Sequence, residues 1–333
     1  MGAYVKNHIV SAGLLRRFTD PHGGLQRVDI GAAFGTASER RRPQTVGYRE
    51  RFFSDPEVAR CAEQRLNLYE TVGLQALDRI TDTWPLEDEV RYPDRLDIAC
   101  LVAVHIVRNP AFRLFIAGLQ NGTVEDSLRG YGLPAEQEKL FLEHVTSEAF
   151  RVDHMLGQIP KMASLIASTH WTLIEFPAPL LALSDQPVTV LPLLPAGFKA
   201  TVQPHPGSGF AFTEEFRMPV DPRHALLFTW ANELDAPEPV AGSDDVAADL
   251  NRAGIAQADG EWFHHPDRRP TQLPLTAVRS TECQPLGRLL LPDYGAIPAA
   301  ESQRRADALE CLEQMIEGEV TDHFHVARVA VAA

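Results

Sequence analysis

The sequence predicts an α+β fold, in which a mainly helical N-terminal body packs on a mixed or antiparallel sheet built largely from the C-terminal half. Of the 25 prolines, 7 lie in residues 1–150 and 18 in residues 151–333. Proline is costly inside helices and tolerated at turns and edge strands, so the first half should hold the helices. Apolar residues also recur at helical spacing before residue 170 and in short runs after it. We therefore expect a single large domain over residues 1–333, with a hairpin and a helical layer in 1–170 and a strand-rich half in 171–333.

The first predicted element is a β-hairpin. Two apolar segments, Ile9–Leu15 and Leu25–Ile30, flank the turn sequence P-H-G-G. Proline and glycine in this arrangement are typical of a tight connection between two strands.

Helices are predicted next. Pro56 stands in the favoured first-turn position of a helix that continues to about Asp82 with one apolar stripe. The segment Leu96–Arg108 is almost wholly apolar, which indicates a helix surrounded by protein. Further helices are predicted at Ala111–Gln120, Ala135–Phe150 and Val152–His170.

Short strands dominate after Trp171. A helix over Asp244–Ala258 is expected to be capped by Ser243 and its acidic neighbours, and Ala300–Glu319 has the pattern of an amphipathic helix. The predicted strands are Trp171–Phe176, Leu180–Leu183, Val188–Leu191, Gly209–Phe212 and Ala225–Trp230.

Charge and composition exclude several classes of protein. The formal net charge is −14, which disfavours non-specific binding to nucleic acid because an acidic protein repels phosphate backbones. No apolar run approaches the ~20 residues of a membrane-spanning helix. With no recognisable targeting segment and no C-x-x-C pair among the four cysteines, a cytoplasmic location is expected. The oligomeric state is left open.

Familiar cofactor and metal motifs are absent from the sequence. There is no G-x-G-x-x-G, no P-loop, no G-x-S-x-G elbow and no H-E-x-x-H. We therefore expect no cofactor and no metal.

The first candidate site residues are Lys6 and His8, at the start of the predicted hairpin. A histidine at a strand end can act as a general base, and a neighbouring lysine can bind an anion. The structural alternative is an ordinary surface hairpin.

Two glutamates and two basic residues form the second set of candidates. Glu63 and Glu70 are seven residues apart on the first long helix, and Glu70 falls on its apolar stripe. His105 and Arg108 share one face of the next, apolar helix. A buried arginine needs an anion, for which Glu70 or Asp185 is the natural candidate, and such a set is either an architectural ion pair or a tuned acid or base.

Ser184 and Asp185 are the last candidates. They follow a predicted strand, where binding and catalytic residues are often found, and precede a proline that keeps the chain extended. The alternative is a turn in which the carboxylate binds its own backbone.

Taken in order, these motifs resemble an uncharacterised bacterial family known as domain of unknown function 4238. The resemblance covers roughly residues 5–265. It departs from the family after His8, where a usual proline is missing, and at Asn109, where the family has threonine. The family implies no established reaction. The stretches that carry the resemblance are Lys6–His8, Glu63–Glu70, Arg108–Pro110, Ser184–Val188, Pro219–Leu227 and Asn251–Ala258.

The leading functional hypothesis is a hydrolase-type enzyme, nuclease-like or a toxin or defence effector, with its polar site between the helical body and the sheet. His8, Glu70 and Asp185 would be catalytic. Substrate binding would fall to Lys6, Glu63, His105, Arg108 and Ser184. The substrate would be a small molecule or a phosphate-containing compound. The alternatives are an enzyme that tailors small molecules and a non-catalytic binding or scaffold protein with a structural buried ion network.

Overall fold

Helices and strands form separate layers in the computed structural model, which confirms the α+β class. The structure describes residues 6–30, 38–50, 52–82, 92–110, 112–114, 134–192, 200–202, 213–229, 239–267, 281–283, 285–286 and 290.

The helical layer contains the elements expected from periodicity and one short helix, α1 (Ala12–Arg16), that was not predicted. The helices are α1 Ala12–Arg16, α2 Pro56–Asp82, α3 Tyr92–Val107, α4 Ala135–Val145, α5 Glu148–Ala167 and α6 Asp244–Gln257. The predicted bounds of α2 are confirmed, and α3 is buried along its whole second half. The boundary between α4 and α5 lies earlier than predicted because the Ser147 side chain accepts a hydrogen bond from the Phe150 backbone at 3.2 Å and so caps α5. Of the predicted helix Ala111–Gln120, only residues 112–114 lie within the described part of the chain, and they are helical.

Thirteen strands are described, and each belongs to one of four sheets or strand pairs. The largest sheet has the order β11-β5-β10-β9-β7, a second has the order β3-β2-β12-β6, and β1-β4 and β13-β8 are separate pairs. Only β11 and β5 run parallel within this set. The strands are β1 Lys6–His8, β2 Leu25–Asp29, β3 Glu39–Arg41, β4 Tyr48–Glu50, β5 His170–Glu175, β6 Ala182–Ser184, β7 Thr189–Pro192, β8 Ala200–Val202, β9 Thr213–Asp221, β10 His224–Thr229, β11 Val240–Ala241, β12 Glu261–His264 and β13 Thr281–Cys283.

The five-stranded sheet lies between two hydrophobic layers. One face, with Trp171 and Phe228 in edge-to-face contact at 4.8 Å, packs on the core shared with α2, α3 and α5. The opposite face, with Ile174 and Leu227, packs on α6. Alternate residues of each strand therefore serve the two layers, as the pleat requires.

The predicted hairpin between Ile9–Leu15 and Leu25–Ile30 is wrong. Residues 12–16 form helix α1 because the Ser11 side chain accepts a hydrogen bond from the Gly13 backbone at 3.2 Å. Strand β1 pairs with β4, and β2 pairs with β3 and β12. An N-terminal pair of consecutive antiparallel strands does exist, but it is β2 with β3.

Strand β9 was not predicted from the sequence. Its sequence, T-E-E-F-R-M-P-V-D, contains three acidic residues, an arginine and a proline, which together resemble a loop. Eight of its nine residues are nonetheless buried. The charges are tolerated because Arg217 is paired with Glu215 and with Asp249 of α6.

Gly73 allows α2 and α3 to pack closely. A Cβ atom at this position would lie 2.5 Å from Cβ of Leu101 and 2.7 Å from the carbonyl oxygen of Asp97. This close approach brings the glutamates of α2 alongside the end of α3.

Three further predictions fall outside the described residues: the strand Gly209–Phe212, the helix Ala300–Glu319 and the last segment of the chain. Within the part of the chain that is described, no helix combines the length and apolarity needed to span a membrane.

Candidate functional site

Arg108 is the centre of a buried ion network between α2 and α3. Its side chain is 2% exposed, and its two terminal nitrogens contact Glu70 and Glu63, the latter at 2.8 Å. Glu63 and Glu70 lie two turns apart on one face of α2, as their spacing predicts. Of the two anions that the sequence offers for Arg108, Glu70 is the one that the guanidinium contacts, and Glu63 is a second carboxylate beside it.

The N-terminal segment closes this network. The Asn7 side-chain amide donates a hydrogen bond to Glu63 at 3.2 Å, and the Ser11 hydroxyl contacts Glu70. Burial raises the pKa of Glu70, while Arg108 opposes the shift. Both glutamates therefore have partners that stabilise their charge, as a buried carboxylate requires.

His105 lies one turn before Arg108 and is 2% exposed. Burial and the nearby Arg108 charge lower the pKa of His105 to about 3. The imidazole is consequently neutral near pH 7 and has little affinity for a proton.

Asp185 is held by a different set of partners. Its Oδ1 accepts a hydrogen bond from the Asp259 backbone at 2.8 Å, and its Oδ2 accepts from the backbones of Gly260 at 2.8 Å and Glu261 at 3.2 Å. Burial raises the pKa of Asp185 to about 7, although these backbone donors act in the opposite direction. Neighbouring Ser184 donates a hydrogen bond to the Gln186 carbonyl at 2.6 Å and so shapes the turn.

A cavity of about 550 Å³ lies beside Asp185. Its volume falls in the range of small-molecule pockets. Its lining includes Ile9 and Tyr48, and six charged side chains dominate it: Arg27, Arg41, Arg49, Asp29, Asp185 and Glu261.

Strand register explains how these charges meet. In the four-stranded sheet Arg27 lies opposite Glu39 of β3, and Asp29 lies opposite Glu261 of β12. Opposite residues share a face, so the charges Arg27, Asp29, Arg41 and Glu261 lie on the same face as two buried apolar residues, Leu25 opposite Arg41 and Phe263 opposite Arg27. The same face thus contributes both to the core and to the cavity wall.

Glu261 is a second carboxylate of the cavity wall that is held by two partners. One of its oxygens contacts the Arg27 guanidinium, and the other accepts a hydrogen bond from the Gly47 backbone at 2.8 Å. Gly47 adopts a left-handed conformation with φ of 64°, and its Cβ position would lie 3.0 Å from Leu15 and 3.2 Å from Val10. Glycine therefore suits the turn that presents this N–H group.

The predicted site residues occupy two neighbouring regions. Glu63, Glu70 and Arg108 meet in the ion network, with His105 one turn away on α3. Asp185 lines the cavity, whereas Ser184 lies outside the lining and shapes the adjoining turn. The regions are linked because the Asn109 side chain donates a hydrogen bond to Gln186 at 2.7 Å.

The two candidates on β1 are placed differently. The His8 ring lies edge-on to the Tyr48 ring, with centroids 6.3 Å apart, beside the cavity wall. Lys6 begins β1 opposite Glu50, but its side chain lies outside the described part of the chain.

Sequence reasoning missed Glu261 and the three cavity arginines. Arg41 belongs to the segment E-R-R-R, whose first three residues form strand β3, and its side chain is about half exposed. The available signal was the alternation of Arg27 and Asp29 on one predicted strand, since alternate charges share a face. Their partner Glu261, 232 residues beyond Asp29, could be found only through strand pairing.

Among the described residues, no group of three or more histidine, cysteine, aspartate or glutamate side chains is arranged to hold a metal ion. The carboxyl groups and guanidiniums of the cavity can supply acid–base and electrostatic chemistry.

Comparison with known proteins adds a family assignment. A sequence model of the family described as "Protein of unknown function (DUF4238)" matches residues 6–268, which is well over half of the 333 residues. No curated protein and no solved structure shows significant similarity to the chain. The match spans the ion network and the cavity alike, and the chain belongs to the DUF4238 family.

Proposed function

We propose that the protein is a hydrolase-type enzyme that acts on a small polar molecule held in the cavity. The observation that carries the proposal is the presence of two carboxyl groups with different environments in one cavity. Asp185 is 4% exposed and has no ion pair among the described residues, whereas Glu261 contacts a guanidinium and a backbone N–H group. Such differences separate a general acid from a general base.

The two carboxyl groups then have distinct roles. Asp185, with a pKa raised by burial to about 7, keeps a proton near neutral pH and delivers it to the leaving group. Glu261 accepts a proton from the attacking water, whose oxygen bonds to the electrophilic centre of the substrate. One water molecule is consumed, one bond of the substrate is broken, and the two carboxyl groups are restored when they exchange a proton with solvent.

Size and charge support a small substrate over a polymer. A cavity of about 550 Å³ suits a small molecule, and the net charge of −14 repels nucleic acid. The cavity also supports our alternative of an enzyme that tailors small molecules. We place the enzyme in the cytoplasm, which agrees with the free state of Cys61, Cys100 and Cys283.

A panel of nitrophenyl phosphates, esters and glycosides tests the proposal. We expect turnover of at least one compound, with a kcat that falls as pH rises above about 7 because Asp185 then loses its proton. Glu261→Gln should lower kcat by roughly 100-fold while the protein stays folded, since general acid–base groups contribute 10²–10⁴-fold. Arg60→Gln, on the exposed face of α2, is the control and should change nothing.

Full activity in both Glu261→Gln and Asp185→Asn would contradict the proposal. Transfer to an added alcohol or amine in preference to water would instead identify the tailoring enzyme. Glu261→Gln is the more informative variant because its remaining carbonyl oxygen can still accept the Gly47 hydrogen bond.

A second candidate, a non-catalytic binding or scaffold protein, is favoured by the ion network. Arg108 is buried, and both of its terminal nitrogens contact glutamates, as in an architectural ion pair. In that case the protein would turn over no compound of the panel.

A further inference from the structure

The charged side chains that line the cavity differ in how far they are exposed to solvent. Asp185 and Glu261 have side chains that are largely buried, whereas Arg41 and Arg49 are 49% and 39% exposed. Asp29 is also half exposed, and its carboxylate lies 3.6 Å from Arg27. Asp185 and Glu261 thus lie in the interior of the cavity. Two guanidiniums and the Asp29 carboxylate, which already has Arg27 as its partner, lie at its mouth.

The mouth arginines differ from Arg27 in their present partners. Arg27 contacts Glu261, which itself belongs to the lining. Arg41 contacts Glu39 and Arg49 contacts Asp259, and both of these acids lie outside the lining. Because exposed ion pairs contribute little to stability, a ligand can replace either acid at small cost.

A guanidinium is well suited to such an exchange. Its planar fork of N–H donors matches the oxygens of a phosphate or a carboxylate and can bind them in pairs. Two such groups on one rim give an oxyanion more donors than either surface acid uses now. A neutral ligand would form no ion pair with the two guanidiniums, so it would not compensate for their lost contacts with Glu39 and Asp259.

We propose that Arg41 and Arg49 form an oxyanion-binding subsite, so that the substrate is a small organic anion with a phosphate or carboxylate group. The inference rests on the proposed function for its account of the reaction. The anion binds at the mouth, and this places the rest of the molecule toward Asp185 and Glu261. Arg49 also acts electrostatically on Asp185, which places the subsite close to the reacting groups.

Titration of the full chain with inorganic phosphate and, separately, with acetate tests the subsite. We expect phosphate to bind, and Arg41→Gln and Arg49→Gln each to weaken its affinity by at least about tenfold, the cost of losing a charge-assisted hydrogen bond. Acetate binding that depends on the same arginines identifies a carboxylate as the natural group, and phosphate binding alone identifies a phosphate.

Matched variants separate the subsite from general charge effects. Arg60→Gln removes one positive charge from an exposed pair on α2 and should leave phosphate affinity unchanged. Glu261→Gln should bind phosphate at least as tightly as the parent, since it removes a negative charge from the cavity. Equal phosphate affinity in the parent, Arg41→Gln and Arg49→Gln, or no binding of either anion at millimolar concentration, would overturn the inference.

The outcomes also distinguish this inference from the proposed function. Arginine-dependent anion binding without any turnover that depends on Glu261 would refute the hydrolase and leave the subsite standing. Glu261-dependent turnover of a neutral compound, with anion binding indifferent to both arginines, would refute the subsite and leave the hydrolase standing.

Discussion

The ion network and the cavity contain the same chemical groups and differ in their access to water. In the network, Arg108 is 2% exposed and contacts two glutamates. In the cavity, Arg27, Arg41 and Arg49 are between 29% and 49% exposed, and space remains beside them. A buried guanidinium surrounded by carboxylates has no capacity for a ligand, whereas an exposed one can exchange its partner. The comparison therefore favours a structural role for the network and supports our proposal that the cavity binds the ligand.

A third cluster supports this distinction. Arg217 on β9 is 1% exposed and contacts Glu215 and Asp249. Glu215 also accepts a hydrogen bond from the Leu286 backbone at 3.1 Å. This cluster joins the central sheet to α6. As in the Arg108 network, a buried arginine contacts two carboxylates.

The largest expected effect is in the Arg108 network. Arg108→Met leaves Glu63 and Glu70 without their cation, so the free energy of unfolding should fall by about 3–5 kcal/mol. Urea denaturation measures the loss. The triple variant Arg108→Met, Glu63→Gln, Glu70→Leu should recover most of it, because no uncompensated charge remains. A change below about 1 kcal/mol in Arg108→Met would contradict the structural role.

The second prediction concerns the pH dependence of stability at Asp185. Its pKa of about 7 in the folded protein lies above the ordinary value near 3.9, so the folded state binds the proton more tightly. The resulting stabilisation is complete below the unfolded pKa and is lost as pH rises through 7. The free energy of unfolding of the parent minus that of Asp185→Asn should therefore fall by roughly 2–3 kcal/mol between about pH 5 and pH 7.

Urea titrations of both proteins at several pH values give this difference, in which the other ionisable groups cancel. A difference that rises with pH would show that the three backbone donors outweigh burial and that Asp185 is a structural carboxylate. That result would also remove the general acid from the proposed mechanism.

A smaller effect is expected at the contact between α2 and α3. Gly73→Ala forces the new Cβ into Leu101 and the Asp97 carbonyl, so stability should fall by about 1–3 kcal/mol. Gly157→Ala on α5 is the matched control, because nothing lies within 4 Å of its Cβ position. The control should raise stability by about 0.5–1 kcal/mol through helix propensity. Equal thermal shifts in the two variants would refute the close helix contact.

The smallest expected effect is at the mouth of the cavity. Arg49→Gln removes a pair in which both side chains are more than a third exposed, so the free energy of unfolding should change by less than about 1 kcal/mol. Thermal denaturation beside Arg108→Met makes the comparison directly. Similar losses of stability in Arg49→Gln and Arg108→Met would contradict the distinction between a structural arginine and a binding arginine.

Local patterns in the sequence were sufficient for the long helices, apart from the boundary between α4 and α5, and for the charged residues of the ion network. Pro56, the apolar stripe of α2 and the Ser243 cap of α6 depend on neighbours within a few residues, and these predictions are confirmed. Glu70 and Arg108 were recognisable because each charge interrupts an apolar helical face, where only a partner makes it tolerable. The α+β class followed from the same local signals together with the distribution of proline.

Tertiary structure alone decided the cavity and the pairing of the N-terminal strands. Asp29 and Glu261 meet through the register of β2 and β12, and Asp185 meets residues 259–261 across 74 to 76 positions in sequence. Helical periodicity records contacts three or four residues apart, but no local pattern records which distant strands will pair. For the same reason β9 was missed, since its charges are tolerated only because of partners on α6. The sequence by itself thus determined which charged residues need a partner when they are buried. The long-range pairing of strands decided which charged residues line the cavity.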